Sequence, residues 1–165
     1  MNGQHSYHAA QQIFYFYGLP QWKLQNNNNN VVNKAGSDYL ITPGMGAHKL
    51  HLRKLTWNRA RRTCIQEGGH IAVINSNSEE KLLLRLLEEN KVAQAWLGIH
   101  DVFEEGDWVT INDEAIETAG YAKWRYPNQP DNAGGKQNCG VLLKDGGMDD
   151  VECTMANVFF CEIAI

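Results

Sequence analysis

The chain has 165 residues, 43% of them apolar, and a net charge of −4 at neutral pH. That suits one cored domain plus an appendage. No basic stripe suggests a nucleic-acid partner, and no apolar run approaches the roughly 18–20 residues that span a bilayer, so no membrane insertion is expected.

Residues 1–37 differ in character from the rest. They begin MNGQHSYHAAQQIFYFYG, without the charged and apolar regions of a signal peptide. A secreted protein of this kind is expected to have lost its signal already. Asn26 to Asn30 form a low-complexity tract that cannot pack a core and reads as a linker. The aromatic run before it, IFYFYGLPQW, reads as a strand docking on the same chain or on a second subunit. The compact domain is expected over 38–165.

AHKLHLR (47–53) alternates like a strand. TWNRARRTCIQEGG follows as a helix, with Thr56 as the N-cap residue and Gly68-Gly69 ending it. Trp57, Ala60, Cys64 and Ile65 share its apolar face, and Arg59, Arg61 and Arg62 read as a solvated face. HIAVI (70–74) is a short strand. A second helix begins at Ser76, which has the capping-box spacing to Glu79, and buries Leu82, Leu83, Leu86 and Leu87. Strands are then expected at 95–100, 107–111, 139–143 and 156–163. Residues 112–138 show little regular pattern. Loops that long are uncommon and often functional. Two helices followed by a β-rich half give an α+β arrangement.

The four cysteines, Cys64, Cys139, Cys153 and Cys161, form no CxxC pair and have no histidine cluster nearby. They read as two disulfides in an oxidising compartment rather than a zinc site. Spacing leaves three connectivities open. No HExxH, GxSxG, P-loop or GxGxxG motif is present, so the chain does not read as an enzyme. His100 beside Asp101 reads as structural. Trp57, Trp96 and Trp108 read as core.

The segments TWNRARRTC, WLGI (96–99), FEEGDWV (103–109), QPD (129–131) and FFCEI (159–163) together resemble the C-type lectin-like domain. PGMGAHKLH, GGHIAVINS and QPDNAGG are closest in flavour to the insect haemolymph, lipopolysaccharide-binding type of C-type lectin. The resemblance runs from about Ser37 to Ile163. It implies the pairs Cys64–Cys161 and Cys139–Cys153, short antiparallel sheets and a long calcium-binding loop region. It also implies secretion and a role in innate-immune recognition or modulation.

The resemblance further implies a Ca2+ ion held by Gln129, Asp131, Gln137, Asp149 and Asp150, with a cis bond before Pro130. Ca2+ takes 6–8 oxygen ligands, which amides and carboxylates supply. The family's usual residues are Glu at 137 and Trp-Asn-Asp at 148–150; here these are Gln137 and Met148-Asp149-Asp150. The carboxylate missing at Gln137 reappears at Asp149, so three acids remain. In the family the same side chains bind sugar hydroxyls, and the order Gln-Pro-Asp resembles the galactose type. No aromatic residue follows QPD, so Trp124 or Tyr126 is the candidate stacking ring. An accessory calcium site at Asp101, Glu105, Asn132, Gln137 and Asn138 is expected to be weak. Carbohydrate is thus the expected partner, with oligomerisation through the N-terminal extension. The alternative is a domain of this fold that binds a protein independently of sugar.

Overall fold

The structure, a computed structural model, describes residues 35–165. The aromatic run and the asparagine tract lie outside the described residues.

The strands are Leu40–Thr42 (β1), Gly46–Leu55 (β2), His70–Ile71 (β3), Gln94–His100 (β4), Val109–Thr110 (β5), Cys139–Leu143 (β6), Met148–Val151 (β7) and Asn157–Ile163 (β8). The helices are Trp57–Gln66 (α1), Asn77–Glu89 (α2) and a single turn, Ile116–Ala119 (α3). One eight-stranded sheet runs β1-β2-β8-β4-β6-β7, with β3 on β8 and β5 on β4. All pairs are antiparallel except β4 with β8, where Trp96 lies beside Phe159. The expected short antiparallel sheets are therefore one mixed sheet, because β4 and β8 enter its centre from the same side. The α+β class stands.

Alternation along the strands divides the core in two. On one face Trp96 and Phe159 pack with Trp57, Ala60 and Cys64 of α1. On the other, Leu97 and Phe160 pack with Leu83 and Leu87 of α2 and with Trp108 and Met148. Trp57 and Trp96 satisfy their indole N–H groups on the carbonyls of Leu97 and Leu55, both at 2.8 Å. Each such aromatic contributes about 2–3 kcal/mol by leaving water.

Both disulfides are present, Cys64–Cys161 and Cys139–Cys153. This is the pairing the resemblance implies. The first ties α1 to β8 across 97 residues, and the second joins β6 to the segment after β7 across 14.

Local expectations changed in several places. Thr56 holds the N-cap position of α1 in an extended conformation, but its side chain makes no capping bond. Ile65 is 52% exposed rather than buried, because the apolar stripe of α1 narrows to Trp57, Ala60 and Cys64. Ser76 does accept the Glu79 N–H at 3.2 Å. The reciprocal half of the box is missing: Glu79 turns to the Asn75 N–H at 2.7 Å and to His48 at 2.8 Å. The strand at 70–74 shrinks to two residues, and that at 107–111 to Val109–Thr110. Asp149 and Asp150, expected as ligands, also lie in a strand, β7, paired with β6.

Candidate metal and carbohydrate site

Strand β7 carries Met148 inward and Asp149 and Asp150 at the sheet end nearest the 126–137 loop. Its alternation puts Met148 in the core at 1% exposure. Asp150 is also buried, at 1%, and takes the loop's backbone as partner. Its Oδ2 accepts the Asn132 N–H at 2.6 Å and its Oδ1 accepts the Asp131 N–H at 3.3 Å. One carboxylate of the sheet thus fixes the loop.

The loop closes on itself through the other expected ligands. The Gln129–Pro130 bond is cis, and the Gln129 side-chain oxygen accepts from Asp131 N at 3.2 Å. Asp131 Oδ1 accepts from Ala133 N at 3.3 Å. Gln137 Oε1 accepts from the same Ala133 N–H at 2.8 Å, while Asn132 Oδ1 accepts from Gln137 N at 2.9 Å. Asp149 Oδ1 caps the Asp150 N–H at 2.9 Å. The structure therefore brings Gln129, Asp131, Gln137, Asp149 and Asp150 around one loop.

The electrostatics of this group are one-sided. Burial, together with the charges of Asp150 and Asp131, pushes the Asp149 carboxyl up to about 6. Among the described residues, Asp131, Asp149 and Asp150 make no ion pair with a lysine, arginine or histidine within 4 Å. Lys136, five residues beyond Asp131, turns to Glu152 at 3.9 Å. Two amides and three unpaired carboxylates are a donor set of hard oxygens, which suits Ca2+ rather than a soft metal.

The accessory group is arranged differently. Asn138 Nδ2 lies between the two acids, donating to Asp101 Oδ1 at 2.9 Å and Glu105 Oε2 at 3.2 Å. The other Asp101 oxygen accepts from Gly106 N at 2.8 Å. A donor amide already occupies the position between these carboxylates. Glu105 is still pushed up, by burial and by the neighbouring Asp101 charge.

Trp124 is half-buried and packs edge-on to Trp108, with ring centroids 4.9 Å apart. Its backbone bridges to Met148, next to Asp149. Tyr126 is the exposed ring, 52% accessible, with the Arg125 guanidinium 5.3 Å above it. Two supports escaped the sequence reading. Glu80, on α2, accepts from the Tyr121 hydroxyl, from Gly147 N at 2.9 Å and from Lys123 at 3.4 Å. Burial acts to raise its carboxyl, but these donors outweigh burial and hold it low. Glu80 thereby moors the 121–125 segment and the β6–β7 turn to the helix. At that turn a Cβ on Gly147 would lie 2.8 Å from Arg125 Cα, and its φ of +81° also favours glycine.

The second support is a buried cluster of His48, Glu79 and Glu162. It joins β2, the start of α2 and β8. Glu162 accepts from Val73 N at 3.2 Å, and its carboxyl is raised by burial and by the charge of Glu79. The capping-box spacing marks Glu79 only as a helix-start residue, which ordinarily faces water, and no motif marks His48 or Glu162.

Residues 53–163 match the Lectin C-type domain family, and the chain belongs to it. The hemolymph lipopolysaccharide-binding protein of the cockroach Periplaneta americana is 37% identical over 134 residues, covering 77% of this chain and 52% of the relative. The chain thus spans about half that relative's length. Among solved structures, the mouse scavenger receptor C-type lectin carbohydrate-recognition domain superposes with a TM-score of 0.70 at 22% identity, over 78% of this chain and 95% of that one. A calcium-independent type II antifreeze protein shares the fold at a TM-score of 0.66 and 22% identity, over 78% and 92% of the two chains. The family generally binds Ca2+, though some relatives of the fold do without it. Its members are typically not enzymes. No described helix is long and apolar enough to cross a membrane.

Proposed function

We propose that this domain binds carbohydrate through a Ca2+ ion held by Gln129, Asp131, Gln137, Asp149 and Asp150. The observation that carries the reading is the gathering of Asp131, Asp149 and Asp150 at one loop with no ion-pairing partner within 4 Å among the described residues. Like charges so placed repel, and a divalent cation relieves them while ordering the loop. When bound, the ion would accept two neighbouring sugar hydroxyls. The side-chain amides would donate to those hydroxyls and the carboxylates accept from them.

The Gln129-Pro130-Asp131 order supports galactose or N-acetylgalactosamine, with Trp124 or Tyr126 offering the ring. The hemolymph name of the cockroach relative supports an extracellular protein acting on microbial surface polysaccharide in immunity. One such site binds weakly, so useful avidity calls for several copies joined through residues 1–37. The test is calorimetric titration of Ca2+ into metal-stripped protein, repeated with galactose and with mannose. Saturable calcium binding that creates galactose binding supports the reading. No calcium binding at millimolar concentration sinks it.

A second reading, a protein partner bound independently of sugar, has one observation in its favour. Phe103 is 80% exposed and stands with Val102 and Ile65 around a cavity of about 330 Å3. Binding of such a partner would survive Asp131→Asn and Asp150→Asn, whereas sugar binding would not.

A further inference from the structure

A groove of about 680 Å3 lies between the outer half of α2 and the β6–β7 turn. Leu84, Leu87 and Val92 line its floor. Four cations stand around it, Lys81, Arg85, Lys91 and Lys144, against two acids, Glu88 and Asp145. The whole chain is acidic, with 15 cations to 19 acids. This positive groove therefore runs against the protein's overall charge.

The cations are also free to meet a ligand. Among the described residues, Lys81, Lys91 and Lys144 make no ion pair within 4 Å, and Arg85 meets only Glu89, at 3.6 Å, with both side chains more than half exposed. The backbone beneath them is fixed. Lys144 N donates to Ala93 O at 2.9 Å, and Val92 N to Leu87 O at 3.0 Å.

Lys91 supplies a separate argument. It follows the C-cap Asn90 with φ of +54°, a position where glycine is the usual residue. A side chain there costs about 1 kcal/mol. The turn is a Schellman cap, with Lys91 N donating to Glu88 O at 3.1 Å and Val92 N to Leu87 O at 3.0 Å, so Lys91 is held at a fixed place on the groove.

We propose that this groove is a second, calcium-independent site for an anionic glycan, whose phosphate, sulfate or carboxylate groups meet the four cations. The apolar floor suits the C–H faces of sugar rings. Lys144 and Asp149 lie five residues apart across one hairpin, so at about 3.4 Å per residue the two sites are within roughly 17 Å. A glycan of several sugars can span that distance and gain affinity from both.

The test uses the full chain in EDTA at low salt, with dextran sulfate oligosaccharide as the probe and neutral dextran as the control. Dextran sulfate is expected to bind, with binding falling steeply as salt rises, and neutral dextran is not. The double variant Lys91→Gln/Lys144→Gln should lose at least about tenfold, while Arg53→Gln/Lys54→Gln on exposed β2 should not. Lys91→Gly is the control for folding: it relieves the strained backbone, so its melting temperature should hold or rise while its affinity drops. Equal binding by parent and groove variants, or none by the parent, overturns the proposal. Calcium-dependent galactose binding is measured on the same variants and should be unchanged, so failure here is distinct from failure at the loop.

Discussion

Replacing Asp150 by asparagine separates the two tasks assigned to that carboxylate. The side chain is buried and accepts two backbone N–H groups, from Asp131 and Asn132. Asparagine keeps the shape and one acceptor, but turns its NH2 toward the other N–H. That loss costs about 1–2 kcal/mol in the ion-free domain. It is partly offset, because removing the Asp150 charge relieves Asp149. The melting temperature in EDTA should therefore fall by only a few degrees.

The effect on calcium should be larger. A unit charge about 2.4 Å from a divalent ion contributes roughly 3.5 kcal/mol even at the dielectric constant of water. An amide oxygen returns part of that, leaving a net loss of about 2 kcal/mol, or roughly 30-fold in Kd. Calorimetry gives the Kd directly, and melting with and without calcium gives the same quantity by linkage. The Asp149 carboxyl, raised to about 6 in the parent, should move back toward the usual carboxylate value, which NMR titration would follow. Calcium binding within threefold of the parent by a folded Asp150→Asn protein would refute the assignment of this loop as the metal site.

Glu162 offers a pH test away from the loop. Its folded carboxyl is raised by burial and by Glu79, so its ionised form weighs against the fold above the folded value and not below the unfolded one. Glu162→Gln should therefore be more stable than the parent near pH 7, and the gap should close on acidification toward pH 4, as read by urea denaturation. His48→Leu removes the partner of buried Glu79 and should cost about 3 kcal/mol, whereas His48→Gln, which keeps a donor, should cost less; both are read by urea midpoints. Removing the Cys139–Cys153 bridge should cost about 3 kcal/mol and removing Cys64–Cys161 about 4.7 by chain entropy. Calcium affinity should suffer more from the first, because Gln137 and Asn138 adjoin Cys139. Gly147→Ala should cost about 1–3 kcal/mol in thermal melts, since its methyl meets the Arg125 backbone.

The helices, β4, β6 and β8 were legible because their apolar residues recur at helical or strand spacing and their ends carry Ser76 or Gly68-Gly69. The candidate loop stood out through its lack of regular pattern and its amides and acids around Pro130. The mixed sheet was not, because the Trp96–Phe159 contact joins residues far apart in the chain and no local pattern records it. The inward roles of Glu79 and Glu80 were hidden for a related reason. Adjacent acids at a helix start suit both a solvated first turn and an inward pair, and only the positions of His48 and Tyr121 decide between them. The weak appearance of β7 has the same origin. Asp149 and Asp150 lack strand propensity and become a strand because β6 lies beside them.

The row Leu40, His48 and Glu162 crosses three neighbouring strands. At about 4.8 Å per strand, the first and last strands of the domain stand roughly 10 Å apart. The start of β1 and the end of β8 are therefore about two strand spacings apart, with only β2 between them. The domain can be spliced into a surface turn of another protein as a self-contained insert. Alternatively, it can be strung in series on a tether, each copy free to swivel about one narrow attachment.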